Sequence, residues 1–168
     1  MKKLFFILFF VLLYLSTFSQ NKARTDTSIF DVNCAKPGQK IPQNCPISYD
    51  FDCRGLQIDC RPCLDSLVKL FKEHKGWKVE IASHTDCRSS LSYNDTLSQK
   101  RADTLASYFF KKGIPKKQII AKGYGERKLR NNCKCEDGKG PGMDCTEAEH
   151  QINRRTEFVI LENTEKCK

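Results

Sequence analysis

The sequence holds only three histidines, one tryptophan and two methionines in 168 residues. It has no Gly-x-Ser-x-Gly elbow, no His-Glu-x-x-His metalloprotease motif and no carboxylate pair in a plausible cleft, so no hydrolytic constellation is legible. No internal repeat is present. Although the net charge is +9, no dense Lys/Arg block occurs, which argues against a nucleic-acid site. Nor is there an apolar run of the roughly 20 residues needed to cross a bilayer. The one hydrophobic run, Leu4 to Leu15, is shorter.

That run follows Lys2 and Lys3 and precedes the small and polar "STFSQN". This is the pattern of a secretory signal peptide, residues 1–19, with cleavage expected after Ser19. The product is expected to be soluble and exported. No lipid anchor is expected, because the first cysteine, Cys34, lies well beyond the cleavage site. What remains suits one domain with a short leader. The basic balance suggests an acidic envelope polymer as partner, with a merely solvated basic surface as the alternative.

All ten cysteines lie beyond the signal segment: Cys34, Cys45, Cys53, Cys60, Cys63, Cys87, Cys133, Cys135, Cys145 and Cys167. An even set in an exported chain suggests disulfides. Two loops look locally stapled: Cys34 with Cys45, and Cys133 or Cys135 with Cys145.

The leader, 20–45, mixes charged residues with Pro, Gly and Asn and is expected to be a loosely held arm fixed mainly by its disulfide. "PISYDFD", 46–52, alternates Ile47, Tyr49 and Phe51 as a half-buried strand would. "LDSLVKLFKEH" places Leu64, Leu67, Val68 and Phe71 on one helical stripe, ending near Lys75-Gly76. "WKVEIAS" alternates as a second strand. A long helix follows from about Asn94 to Lys112, closed by Gly113 and Pro115. "QIIAKGYG" reads as a strand and 127–144 as a long loop. "TEAEHQINRR" suits a short helix with Thr146 and Glu149 forming a capping box, and "RTEFVIL" is a last strand. The order β-α-β-α-β-α-β predicts an α/β sandwich, with helices packed on one face of a mixed sheet. Residues 46–162 form the domain and 163–168 a short tail.

Two charged residues stand out. Arg101 falls inside the apolar stripe of the long helix, one turn from Leu97 and one turn from Leu105. A guanidinium there needs an anionic partner or a solvated cleft. Asp86 lies just past a strand end, where binding crevices commonly form. The two could close an internal salt bridge. Alternatively they could divide a ligand, Asp86 taking an ammonium and Arg101 a carboxylate, the arrangement that reads a zwitterionic amino acid centre.

"SHTD", "YNDTLSQKRA", "GIPKKQIIAKGYGE" and "NRRTEFVI" occur in that order from about Pro46 to Leu161. Together they resemble the OmpA-like peptidoglycan-binding domain, shared with peptidoglycan-associated lipoproteins and flagellar stator proteins. The long Cys-bearing loop and "CTEAEHQINRRTEF" are similar to Bacteroidetes-type members. The resemblance implies binding to the diaminopimelate of the peptidoglycan stem peptide through Asp86 and Arg101. It further implies a polar contact from Asn94, a pocket residue in Asp50, and wall positions for Thr85 and Leu97. Asn153, Arg154 and Arg155 match the family's Asn-Arg-Arg, for which support of the site is expected. The motif's usual leading Gly is Ser83 here, and Cys87-Arg88 replaces other polar residues in the loop.

Rival readings are weaker. "CRPC", Cys60 to Cys63, opens a helix as in thioredoxin-like thiol-disulfide oxidoreductases. Those enzymes carry a proline facing the thiols, yet none occurs between Leu64 and Ile114. His84 has no second ligand at metal spacing, and a zinc site from His150 with Cys133, Cys135 and Cys145 competes with disulfides in an oxidising compartment. The expectation is therefore a binding protein without enzymatic activity or cofactor, residing in the periplasm against the cell wall or the inner face of the outer membrane. A protein partner is expected through the leader.

Overall fold

A computed structural model of the chain describes residues 30–43, 47, 61–135 and 145–167. The stripe of Leu64, Leu67, Val68 and Phe71 becomes the buried face of helix α1, Arg61–Glu73, with Pro62 in the first turn, where its missing N–H costs nothing. Strand β1, Trp77–Ser83, buries Trp77, Val79 and Ile81 and leaves Lys78 and Glu80 half-buried. Helix α2, Leu91–Lys111, starts earlier than its apolar stripe suggests, because Ser90 is the N-cap and accepts from the Tyr93 amide. The chain leaves α2 through Gly113 at φ 88°, a left-handed position that favours glycine.

Strand β2, Ile119–Gly123, is pressed against α2: a Cβ at Gly123 would lie 2.3 Å from the Gln99 nitrogen. Helix α3, Glu147–Asn153, begins with the complete capping box of Thr146 and Glu149, and strand β3, Thr156–Asn163, follows. The sheet order is β2-β1-β3, with β1 parallel to β2 and antiparallel to β3. Inward residues of β1 and β3, including Val79, Ile81, Phe158 and Ile160, share one apolar core with Leu64 and Phe71 of α1 and Leu105 and Phe109 of α2. Strand alternation turns Glu80, Ala82, Glu157 and Val159 the other way. The result is the expected α/β sandwich. The strand expected at 46–52 lies outside the described residues except for Ile47, which is buried.

Two expectations are corrected. Residues 30–43 of the leader are not a loose arm. Gly38 N–H donates to the Ile160 carbonyl (2.8 Å), Ile160 N–H to Gln39 (2.9 Å) and Ile41 N–H to Phe158 (2.8 Å), so the leader runs along the outer edge of β3. Ala35 and Ile41 are buried in the core. Edge pairing satisfies backbone groups that hydropathy does not reveal. Cys34 pairs with Cys167 rather than Cys45, joining the leader to the end of the chain across a separation of 133 residues.

Candidate functional site

The turn after β1 is pinned on both sides. The Ser83 carbonyl accepts from Tyr124 N–H (2.9 Å), His84 N–H donates to Arg155 (2.9 Å) and Thr85 N–H donates to Gly125 (3.0 Å). The segment "SHTD" is therefore clamped between the exit of β2 and the entry of β3, and Asp86 is presented at the sheet end. A second clamp comes from α2. The Asn94 amide donates to the Asp86 carbonyl (3.2 Å), the Ser89 carbonyl (3.3 Å) and Glu126 Oε2 (2.5 Å), fixing the loop to the first turn of the helix. Disulfides Cys87–Cys135 and Cys133–Cys145 fasten the long loop to the same place.

Asp86, Thr85, Asn94, Leu97 and Arg101 line one cavity of about 150 Å³, together with Ser89, Tyr93 and Arg154. Asp86 is 4% exposed and Arg101 1%. The buried Thr85 hydroxyl on this wall has no protein partner among the described residues. The two charges do not neutralise each other in an internal salt bridge. Asp86 Oδ2 instead accepts from Arg88 Nη2 (2.8 Å), Arg88 Nε (3.2 Å) and Arg154 Nη1 (2.7 Å), and among the described residues Oδ1 accepts only from the Arg88 amide (3.2 Å). Burial pushes the Asp86 carboxyl up, but the hydrogen bonds from Arg88 and Arg154 outweigh it and hold the group below its ordinary value. Asp86 is thus an anion with one oxygen still lightly used, beside two guanidinium groups in the lining. Such a cavity can divide a zwitterion between its walls.

Arg154 both holds Asp86 and lines the cavity; its other nitrogen reaches Glu147 and Gln151. Asn153 and Arg155 lie outside the cavity lining. The Asn153 carboxamide accepts from the Arg130 amide (2.8 Å) and donates to Asn131 (2.7 Å), while Arg155 pairs with Glu157 (2.8 Å) and the Lys128 carbonyl (3.0 Å), so both brace the long loop and the entry of β3. Asp50 lies outside the described residues. Sequence reasoning missed Ser89 and Tyr93 as lining residues, and Arg88 as the partner of Asp86. Tyr93 directly precedes Asn94 in "YNDTLSQKRA", but Ser89 carries no signal beyond its loop. A larger cavity of about 550 Å³, lined by Ile41, Ile47, Ile152 and Thr156 among others, contains neither Asp86 nor Arg101. The smaller one is the cavity that brings Asp86 and Arg101 together.

The rival chemistries find no support. Cys63 of "CRPC" is disulfide-bonded, and Cys60 lies outside the described residues. Cys133, Cys135 and Cys145 are all in disulfides, which removes the thiolates that a zinc site with His150 would need.

A sequence profile of the OmpA family matches residues 49–140, over half of the chain. The chain is 33% identical over 128 residues to the peptidoglycan-associated lipoprotein of Legionella pneumophila, covering 74% of this chain and 66% of that protein. It is 36% identical over 121 residues to a part of the photosystem I P700 chlorophyll a apoprotein A2 of Gloeobacter violaceus, covering 71% of this chain but 13% of that protein. Among solved structures, the peptidoglycan-associated lipoprotein from Burkholderia pseudomallei superimposes with a TM-score of 0.59 at 25% identity, over 68% of this chain and 87% of that one. The chain thus spans less than two thirds of the length of these two curated relatives.

Proposed function

This chain belongs to the OmpA family, and we propose that it binds peptidoglycan without turnover and anchors a component of the cell envelope to the wall. The reading is supported by its likeness to peptidoglycan-associated lipoproteins. The observation that carries it to a site is the single cavity holding Asp86, Asn94, Arg101 and Arg154. In this reading the ligand is the diaminopimelate of the stem peptide. Its ammonium meets the lightly used Oδ1 of Asp86, and its carboxylate meets the Arg101 guanidinium in a fork. The Thr85 hydroxyl supplies a further polar contact, and Leu97 and Tyr93 close the apolar wall. The buried acid and guanidinium are preorganised, so little ordering opposes binding. The protein then works in the periplasm, against the wall, where many repeated stems provide avidity if several copies are held together. The leader, tied to the end of the chain by Cys34–Cys167, offers the surface through which another envelope protein is held.

Co-sedimentation with purified sacculi tests this. The parent protein is expected in the pellet, with retention falling as salt is raised because the contacts are ionic. Asp86→Ala and Arg101→Ala are expected to lose retention, and soluble muropeptides carrying diaminopimelate to compete it away. Full retention by both variants, with native circular dichroism, would sink the proposal.

A further inference from the structure

The face of the sheet turned away from α1 and α2 carries a separate cavity of about 370 Å³, which shares no lining residue with the Asp86 cavity. Its floor is Ala82 and Val159, and its walls carry four cations, Lys40, Lys128, Arg130 and Arg155, against two carboxylates, Glu80 and Glu157. The carboxylates are already engaged. Glu157 accepts from Lys40 (2.8 Å), Arg130 (2.5 Å) and Arg155 (2.8 Å), and Glu80 accepts from the Tyr124 hydroxyl (2.8 Å). Three cations therefore share one anion. The fourth, Lys128, has its ammonium 3.8 Å from the Tyr124 ring centre, and Lys122 approaches the same ring at 4.8 Å.

A second observation is independent of charge. His84 lines this cavity, is 2% exposed and stacks on Tyr124, yet neither of its ring nitrogens has a hydrogen-bond partner among the described residues. One of the two must carry a proton in the neutral ring, so an unpartnered donor lies buried in the wall of a cationic cavity. Buried polar groups without partners are uncommon, and an ion or water that completes them is one physical reason for their presence.

We propose that this cavity is an oxyanion site that takes a phosphate monoester. The lining exceeds neutrality by two positive charges, which matches a phosphate monoester near neutral pH. The three terminal oxygens of a phosphate monoester, set tetrahedrally, can accept from guanidinium, ammonium and imidazole donors that approach from different walls. Burial, with the nearby Arg155, lowers the His84 pKa to about 4, so its ring donates as a neutral imidazole. A lipid headgroup and a soluble phosphoester share this chemistry.

The test uses the intact chain, with glycerol phosphate as the soluble probe and phosphatidylcholine vesicles with and without phosphatidic acid as the lipid probe. Saturable binding is expected, with nuclear magnetic resonance shifts at the His84 ring. The exposed pair Lys128→Glu and Arg130→Gln leaves Lys40 and Arg155 on Glu157. It is expected to weaken binding by at least tenfold while sacculus retention is unchanged. Binding to both probes supports the shared chemistry, and binding to the phosphatidic acid vesicles alone, lost in the double variant, assigns the lipid source. Binding to neither probe overturns the proposal, as does equal affinity for acetate or an affinity that the double variant leaves unchanged.

Discussion

Arg154 Nη1 donates to Asp86 Oδ2 across 2.7 Å, and both side chains are buried, at 3% and 6% exposure. The bond links the exit of β1 to the end of α3, residues 68 apart in the chain. It makes the position of the acid depend on the last third of the sequence.

Removing that link should therefore cost both stability and geometry. Breaking one partner of a buried ion pair typically costs about 3–5 kcal/mol, and Arg88 remains on Asp86, so Arg154→Ala is expected at the lower end, about 3 kcal/mol. Urea denaturation checks the magnitude. Sacculus retention is expected to fall with it, and to recover only in part in Arg154→Lys, which keeps the charge but not the fork. A stability loss below about 1 kcal/mol would show that Arg88 alone fixes Asp86.

Acid should weaken the fold in two stages. His84 is held at about 4 against an ordinary 6.5, through burial and then the charge of Arg155, so between those values the unfolded chain takes a proton that the folded chain refuses. Stability is present above pH 6.5 and falls as the pH drops toward 4. Glu157 is lowered from 4.5 to about 2: burial opposes the shift, but the hydrogen bonds from Lys40, Arg155 and Arg130 outweigh it. Its contribution is present above 4.5 and is lost toward pH 2. Urea midpoints recorded from pH 7 to pH 2 should show both windows. His84→Gln should flatten the upper one and Glu157→Gln the lower.

The disulfides should differ in worth by the chain they close. In the chain-entropy account the gain grows with loop length, giving about 3 kcal/mol for Cys133–Cys145, about 4 for Cys87–Cys135 and about 5 for Cys34–Cys167. Their separations are 12, 48 and 133 residues. Paired Cys→Ser variants compared by thermal unfolding are expected to follow that order. Removing Cys87–Cys135 should also reduce sacculus retention, because it frees the loop beside Asp86. An inverted order would point to contacts rather than loop closure as the source of stability.

The described helices and strands were legible in local stretches of sequence. Alternation in "WKVEIAS", the stripe through Leu64 and Phe71, and the Thr146 and Glu149 box are local signals, written within a few residues, and each reappears in β1, α1 and α3. The misplacement of Arg101 in an apolar stripe was equally legible, because helical spacing alone puts it between Leu97 and Leu105. Which distant groups meet was set by the packing of the folded chain: Arg154 on Asp86, the leader along β3, Cys34 on Cys167, and the cation ring around Glu157 on the far side of the sheet. Periodicity records which face of an element is apolar. Pairings between elements depend on how the faces stack and where the chain returns, and nothing in local spacing encodes that.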